Sequence, residues 1–298
     1  LIEKYQNLQI LGLNRLLKID MIISNHLITG KTKFIAHIGF PTKSFTAPKI
    51  LNPYFNSINK DLVVIPMACK KQDLKPLING LTNLENFYGA LITMPHKEEI
   101  VSLLKKKKKL VKISNVCNIL KTDKNNHLIG GLTDIEGFKK SIKALKLTLK
   151  TKKILIVGAG GIGTSLSHFF LNEEVKSVRI HDINKEKANN LNDKIQNKNF
   201  KFNYKIWNKK DTKFDVLINA SPVGMVSFKS PVNSRIIKNC STVIDFVLSD
   251  KQTKILKLAK KFNKQTISGN SILIHQIPAM LKFYGEKEIS DSKLENLL

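Results

Sequence analysis

Three glycines, Gly158, Gly160 and Gly163, stand in the spacing G-x-G-x-x-G directly after the apolar run 153–157 and at the opening of a helical pattern. Each answers a separate need of a bound pyrophosphate. The first permits a tight turn, the second lets backbone approach phosphate, and the third lets helix pack closely on strand. The helix expected from about Gly161 aims its free N–H groups at the phosphates. A second apolar run, 177–180, ends in His181-Asp182, with the acid about 20 residues past the last glycine. A carboxylate there accepts hydrogen bonds from a ribose diol and repels a 2′-phosphate, and no arginine follows it. The expected cofactor is NAD or NADP, with NAD favoured by Asp182; Lys185 and Lys187 lie near enough to oppose that preference. Thr93, Asn118 and Gln276 sit beside apolar strand residues, where a buried hydroxyl or amide needs a partner that a bound polyol would supply.

The elements that must position these groups alternate. Residues 33–38 read as a strand, followed by the turn Gly39-Phe40-Pro41 and a helix from Pro48 with Ile50, Leu51, Tyr54 and Phe55 on one face. Residues 62–67 and 88–93 read as further strands, with a helix over 74–81 between them. The expected fold class is α/β in two domains: a mainly parallel α/β substrate domain over 21–132, then a Rossmann dinucleotide-binding domain over 151–268. A short β excursion, 114–120 and 128–131, closes the first domain, and a long helix from Thr133 to about Leu147 connects the two within 133–150. In the second, a helix over 185–194, a strand near 202–204, strands at 215–219 and 242–246 and a helix over 252–262 are expected. Residues 269–298 read as C-terminal helices returning to the first domain. Residues 1–20 carry a loose helical pattern, Ile10, Leu13, Leu16 and Leu17, and a start at Met21 would make them a dispensable extension.

Composition narrows the classes. With 298 residues, 42% hydrophobic and 24% charged, the chain has enough apolar content for two cores and excludes wholesale disorder. The net charge of +27 would suit nucleic acid, but only three arginines occur, Arg15, Arg179 and Arg235, and the lysine excess is spread over every segment. Nucleic-acid readers favour Arg for base contacts and interleave aromatics with the basic patch, so no nucleic-acid partner is expected. The densest run, 105–109, reads as the solvated end of a helix. Cys69, Cys117 and Cys240 are isolated, His181 and His275 lack ligand spacing, and neither a disulfide framework nor a metal is expected. No run approaches the roughly 18 apolar residues of a membrane span, so a cytoplasmic protein without a membrane partner is expected, monomer or homodimer.

Six motifs in order resemble the shikimate/quinate dehydrogenase family over about residues 38–276. Gly39-Phe-Pro…Ala47-Pro48 is similar to G-x-P…S-x-S-P, and Ile92-Thr-Met-Pro-His-Lys97 to V-T-x-P-x-K. Val116-Cys-Asn118 resembles A-x-N-T, and Leu132-Thr-Asp134-Ile-Glu-Gly-Phe138 resembles N-T-D-x-x-G-F. Asn219-Ala220-Ser221-Pro-Val-Gly224-Met225 is similar to N-A-T-x-x-G-M, and Gly269…Leu273…Gln276 to G-x-x-M-L-x-x-Q. The resemblance implies an NAD(P)-dependent alcohol dehydrogenase, with Lys97 and Asp134 as proton-transfer dyad and Thr93, Asn118 and Gln276 on the substrate. It further implies a cofactor site of Gly158, Ala159, Gly160, Gly161, Ile162, Gly163, Asp182, Asn219, Ala220, Ser221, Gly224, Met225 and Gly269. The implied substrate is a shikimate-like or quinate-like hydroxy acid.

The chain departs from the pattern at the substrate. The two serines that hold the substrate carboxylate in that family fall on Phe45 and Ala47, and Ser44 and Thr46, one position away, compensate only if the loop is re-registered. The Asn of V-N-V-T becomes Leu91, that of N-T-D becomes Leu132, and a late Tyr becomes Leu248. These losses leave an alternative open: a dinucleotide-binding regulatory protein without turnover. Retention of Lys97 and Asp134 speaks against it, because alcohol oxidation needs a group that takes the hydroxyl proton as the carbonyl forms. His96, next to Lys97, points away from it in an extended segment and reads as structural.

Overall fold

A computed structural model describes residues 28–196, 203–208, 210–287 and 289. The expected extension over 1–20, the start of the substrate domain at 21–27, Phe202, and residues 288 and 290–298 of the expected C-terminal helices lie outside the described residues.

The first half begins with β1 (Lys33–Gly39), α1 (Ala47–Ser57), β2 (Leu62–Ala68), α2 (Leu74–Thr82) and β3 (Phe87–Ile92). It continues through β4 (Lys106–Lys107), α3 (Lys109–Ser114), β5 (Ile119–Thr122), β6 (Leu128–Gly131) and α4 (Asp134–Ala144). The strands form one sheet in the order β2-β1-β3-β5-β6-β4. β1 runs parallel to β2 and β3, whereas β5 is antiparallel to β3 and β6. Six of the seven β1 residues are buried, as a central strand covered on both faces requires. Phe34, Ala36 and Ile38 join the core that holds Leu74, Ile78 and Leu81 of α2. Ile35 faces the opposite core, made with Ile50, Leu51, Tyr54 and Phe55 of α1. Burying side chains of this size stabilises by about 1.5–3 kcal/mol each before the entropy of ordering them is subtracted.

The second half holds β7 (Lys153–Val157), α5 (Gly161–Phe170), β8 (Ser177–His181), α6 (Lys185–Gln196), β9 (Asn203–Ile206) and β10 (Val216–Asn219). α7 (Ser234–Asn239), β11 (Thr242–Asp245), α8 (Lys254–Lys261) and β12 (Gln265–Ile267) complete it. All pairs in this sheet are parallel, in the order β12-β11-β10-β7-β8-β9. This is the doubly wound Rossmann arrangement, and its order reverses between β7 and β10, where a crevice opens at the carboxyl ends of the strands.

The last helix, α9 (Gly269–Tyr284), returns to the first sheet, where Leu273, Ile277 and Leu281 pack with Ile35 and Leu91. Gly137 of α4 permits this: a Cβ there would lie 2.6 Å from the Ile272 carbonyl oxygen. The Ser141 hydroxyl and His275 Nδ1, 2.8 Å apart, tie the same two helices. Phe138 of α4 meets Phe169 and Phe170 of α5 edge-on and stacks on Phe246, so aromatic contacts join the two sheets.

Three local expectations need correction. The lysine run over 105–109 is not a helix end: Lys106 and Lys107 form an edge strand paired with Ile129 and Gly130, and α3 starts at Lys109. Lysine serves an edge strand as well as a helix end, because its charge discourages pairing with another chain. The connecting helix stops at Ala144 rather than 147, with Lys146 at φ 53° breaking the helical path. The β excursion expected over 114–120 begins only at β5 (Ile119–Thr122), because Ser114 closes α3 and Asn115 turns the chain at φ 54°; β12 and α7 carry too few residues to show a period. No helix among the described residues is long and apolar enough to cross a membrane.

Candidate active site

β3 and β6 end at the same edge of the first sheet, and β5, being antiparallel, begins there. This places residues from four separate segments together. After β3 the chain turns through Thr93–Lys97, tied by Thr93 N–H to the Ile38 carbonyl at 2.9 Å and His96 N–H to the Thr93 carbonyl at 2.9 Å. His96 is fully buried, its Nε2 2.8 Å from the Cys69 carbonyl, so it anchors the turn as its structural reading implied. The Cys117 N–H donates to the Lys97 carbonyl at 2.8 Å, which brings Asn118 alongside.

Lys97 Nζ lies 2.6 Å from Asp134 Oδ2, the two side chains 14% and 10% exposed. The other carboxylate oxygen, Oδ1, accepts from Asn118 Nδ2 at 3.0 Å and from Gln276 Nε2 at 3.1 Å. Both amides also donate to Thr133 Oγ1, at 3.1 and 2.8 Å. Thr133 N–H returns a bond to Asn118 Oδ1 at 2.8 Å. Asp134 is therefore held from both sides, and its position fixes the ammonium. Asp134 is the only hydrogen-bond or ion-pair partner of that ammonium among the described residues, an arrangement suited to passing a proton to or from a hydroxyl.

The glycine turn stands next to this network. A Cβ on Gly161 would come within 3.1 Å of Lys97 Cβ, so the first turn of α5 abuts the dyad. Gly158 has φ +112°, and a Cβ on Gly163 would sit 1.8 Å from the Gly158 carbonyl oxygen, so neither position takes a side chain. A Cβ on Gly160 would meet nothing within 4 Å. Open space at that glycine, beside the first-turn N–H groups of α5, fits the approach of a dinucleotide pyrophosphate.

Across the switch point, buried Asn219 shapes the loop after β10. Its Nδ2 donates to the Val223 carbonyl at 3.0 Å, and its Oδ1 accepts from Ser221 N–H and Oγ at 3.1 and 2.7 Å. This holds Ala220 against the glycine turn and carries the chain to Gly224 and Met225. Asp182 accepts from Ala159 N–H and from Asn184 N–H, each at 2.8 Å, so it braces the turn itself. Ile183 beside it is 91% exposed.

Other predicted residues fall elsewhere. Thr93 is half-buried at the base of the lysine turn. Ser44 Oγ lies 3.8 Å from Met225 Sδ, and Thr46 Oγ1 donates to the Ser44 carbonyl at 3.4 Å, so neither joins the Asp134 network. Gly269 packs at the start of α9, where a Cβ would lie 2.4 Å from the Val247 carbonyl oxygen. Thr133, Asp245 and His37 escaped the sequence reading. Asp245 is fully buried; it accepts from Asn219 Nδ2 at 2.9 Å and Thr253 Oγ1 at 2.5 Å, and burial pushes its pKa up. An acid closing an apolar strand, as Asp182 does, was its available signal. No group of three His, Cys, Asp or Glu among the described residues is placed to hold a metal.

Comparison with known proteins agrees with this geometry. Residues 38–120 match the shikimate dehydrogenase substrate binding domain, and residues 140–230 match shikimate / quinate 5-dehydrogenase. A protein of Prochlorococcus marinus subsp. pastoris named shikimate dehydrogenase (NADP(+)) is 30% identical over 279 residues, covering 87% of this chain and 93% of that one. The chain belongs to the shikimate dehydrogenase family. Among solved structures, a shikimate dehydrogenase from Aquifex aeolicus superposes with a TM-score of 0.80 at 28% identity, covering 91% of this chain and 99% of that one. Another shikimate dehydrogenase, in complex with NADP+, gives a TM-score of 0.79 at 27% identity, with coverage of 91% and 96%. Both shikimate dehydrogenases share the two-sheet architecture described above.

Proposed function

We propose that the protein is an NAD(P)-dependent oxidoreductase of the shikimate dehydrogenase type, acting reversibly on a cyclic hydroxy acid of the shikimate or quinate kind. The observation that carries the reading is the Lys97–Asp134 pair, 2.6 Å apart and braced by Asn118 and Gln276, set against the first turn of the glycine helix. The dinucleotide, when bound, supplies the hydride acceptor in the oxidising direction. Gly158–Gly163 and Asp182 hold it on one side of the crevice, and the loop Asn219–Met225 on the other. In the oxidising direction Lys97, as the neutral amine, takes the proton of the reacting hydroxyl at Nζ and becomes the ammonium; in the reducing direction the ammonium returns that proton. Asp134 aims Nζ and keeps its charge compensated. Asn118 and Gln276 fix the Asp134 carboxylate, and the Gln276 side-chain oxygen is left to meet a substrate hydroxyl.

The finer reading is a preference for NAD. Asp182 carries negative charge beside the ribose site, and exposed Ile183 offers no donor to a 2′-phosphate. The Prochlorococcus relative is named for NADP(+), and one solved shikimate dehydrogenase is in complex with NADP+, so Lys185 and Lys187 are the residues able to reverse this preference. The experiment is steady-state turnover of purified protein with shikimate, quinate and related hydroxy acids, each with NAD and with NADP. Turnover with a cyclic hydroxy acid and at least tenfold higher catalytic efficiency with NAD is expected. Inactivity with the whole panel refutes the activity, and higher efficiency with NADP refutes the preference.

A further inference from the structure

β1 ends in a polar side chain that the dyad does not use. His37 is 7% exposed on the same strand face as Ile35, at the carboxyl end of the strand. Its ring stacks on Phe45, with centroids 4.0 Å apart and planes inclined by 23°. Nδ1 is buried without a hydrogen-bond partner, and no side-chain hydrogen bond of His37 occurs among the described residues. Burial, and then the neighbouring charge of Lys97, lowers its pKa to about 3. It is therefore a neutral imidazole with one donor and one acceptor, close to the dyad, and neither is spent on protein. A buried polar group in that condition calls for a partner from outside the chain.

Its neighbours say which partner. Strand register sets His37 beside Leu91, the position at which the family motif has Asn. Phe45, the ring that holds it, occupies the place of the first of the two serines that grip the substrate carboxylate in that motif, and Ala47 the second. At this corner of the cleft three polar groups have gone and one has appeared. Phe45 fixes the plane of that one group while excluding water from its far side.

We propose that His37 is a substrate-binding residue, whose ring N–H donates to the carboxylate of the hydroxy acid in place of the missing serine hydroxyls. The inference rests on the hydroxy-acid dehydrogenase activity proposed above. It predicts a specificity determinant that acts on substrate affinity and leaves the proton-transfer step intact.

The test compares wild type, His37→Leu and His37→Gln as full chains. Two substrates are used: shikimate, and the analogue in which hydroxymethyl replaces the carboxylate. His37→Leu should raise KM for shikimate about 10- to 100-fold, as loss of a hydrogen bond to a charged group does. It should change kcat and the KM for cofactor less than about threefold, and should hardly alter the already weak use of the analogue. His37→Gln keeps a donor and should recover part of the affinity, and Phe45→Ser added to His37→Leu should restore more by returning a hydroxyl. An unchanged KM for shikimate, or the same penalty with both compounds, overturns the assignment. If His37→Leu does not fold, nitrogen NMR of wild type labelled at histidine decides the matter, with the His37 resonances assigned through His37→Gln. Shikimate added to the enzyme–dinucleotide complex should shift the His37 ring nitrogens, and no shift overturns the role. An inactive wild type with every hydroxy acid refutes the activity itself, whereas an active wild type insensitive at His37 refutes only this inference.

Discussion

Replacing Asp134 by Asn tests the dyad at its most constrained atom. Asp134 Oδ2 faces Lys97 Nζ at 2.6 Å, and Oδ1 faces two amide donors at 3.0 and 3.1 Å. An asparagine has one oxygen and one NH2, so whichever way the amide turns, its NH2 confronts a donor. One charge-assisted bond, worth about 1.5–3 kcal/mol, is lost outright. The lysine is also left without its counter-charge at 14% exposure, and breaking a buried pair on one side costs about 3–5 kcal/mol. The expected outcome is a melting temperature lower by roughly 10 °C. Turnover should fall by about 10²- to 10⁴-fold, the contribution of a positioned proton-transfer group. Cofactor affinity should stay within about threefold, because none of these bonds touches the glycine turn. The assay is initial-rate reduction of the dinucleotide with shikimate, beside thermal melting and cofactor titration. A folded Asp134→Asn protein retaining more than about a tenth of wild-type kcat would refute the reasoning.

Other perturbations follow from the same geometry. Gly163→Ala forces a Cβ to 1.8 Å from the Gly158 carbonyl, so cofactor binding should weaken at least about 100-fold. Gly160→Ala meets no protein atom within 4 Å and should keep its melting temperature while losing dinucleotide affinity; a titration with both variants distinguishes packing from contact. Ile183→Arg should raise the NADP-to-NAD ratio of kcat/KM by about 10- to 100-fold, and an unchanged ratio would show that Ile183 does not face the 2′-position. His37 has its pKa depressed from 6.5 to about 3 by burial first and Lys97 second, so the unfolded chain takes the proton before the folded one does. Its contribution is complete above pH 6.5 and is lost toward pH 3, at about 1.4 kcal/mol per pH unit. In urea melts at pH 5, 6 and 7, wild type should therefore lose stability more steeply than His37→Leu as pH falls, and parallel pH curves would contradict the assignment.

The glycine turn was legible because backbone crowding dictates residue type there: Gly158 needs a positive φ, and Gly163 has a carbonyl where its side chain would be. Lys97 and Asp134 were legible as family motifs, yet nothing in a linear reading brings residues 37 apart to 2.6 Å. That proximity comes from strand order, with β5 folding back between β3 and β6. Lys106 and Lys107 misled because charge marks solvent exposure without saying which element is exposed. β12 is three residues long, Gln265–Ile267, and too polar to register as a strand until β11 is beside it. His37 interrupts an apolar strand in a way that resembles an ordinary core histidine. Only the stacked Phe45 and the unpaired ring nitrogen mark it as something else. Thr133 was passed over for the acid that follows it, although its hydroxyl receives both amides that position that acid.

In the proposed mechanism Lys97 moves the proton while the second sheet and its glycine turn hold the dinucleotide. Lys97→Ala tests it most directly, with kcat for shikimate oxidation and the dissociation constant for NAD measured on the same preparation. Loss of at least about 10³-fold in kcat, with the NAD dissociation constant within about twofold of wild type, is predicted. Substantial turnover without Lys97, or cofactor affinity lost together with it, would contradict the account.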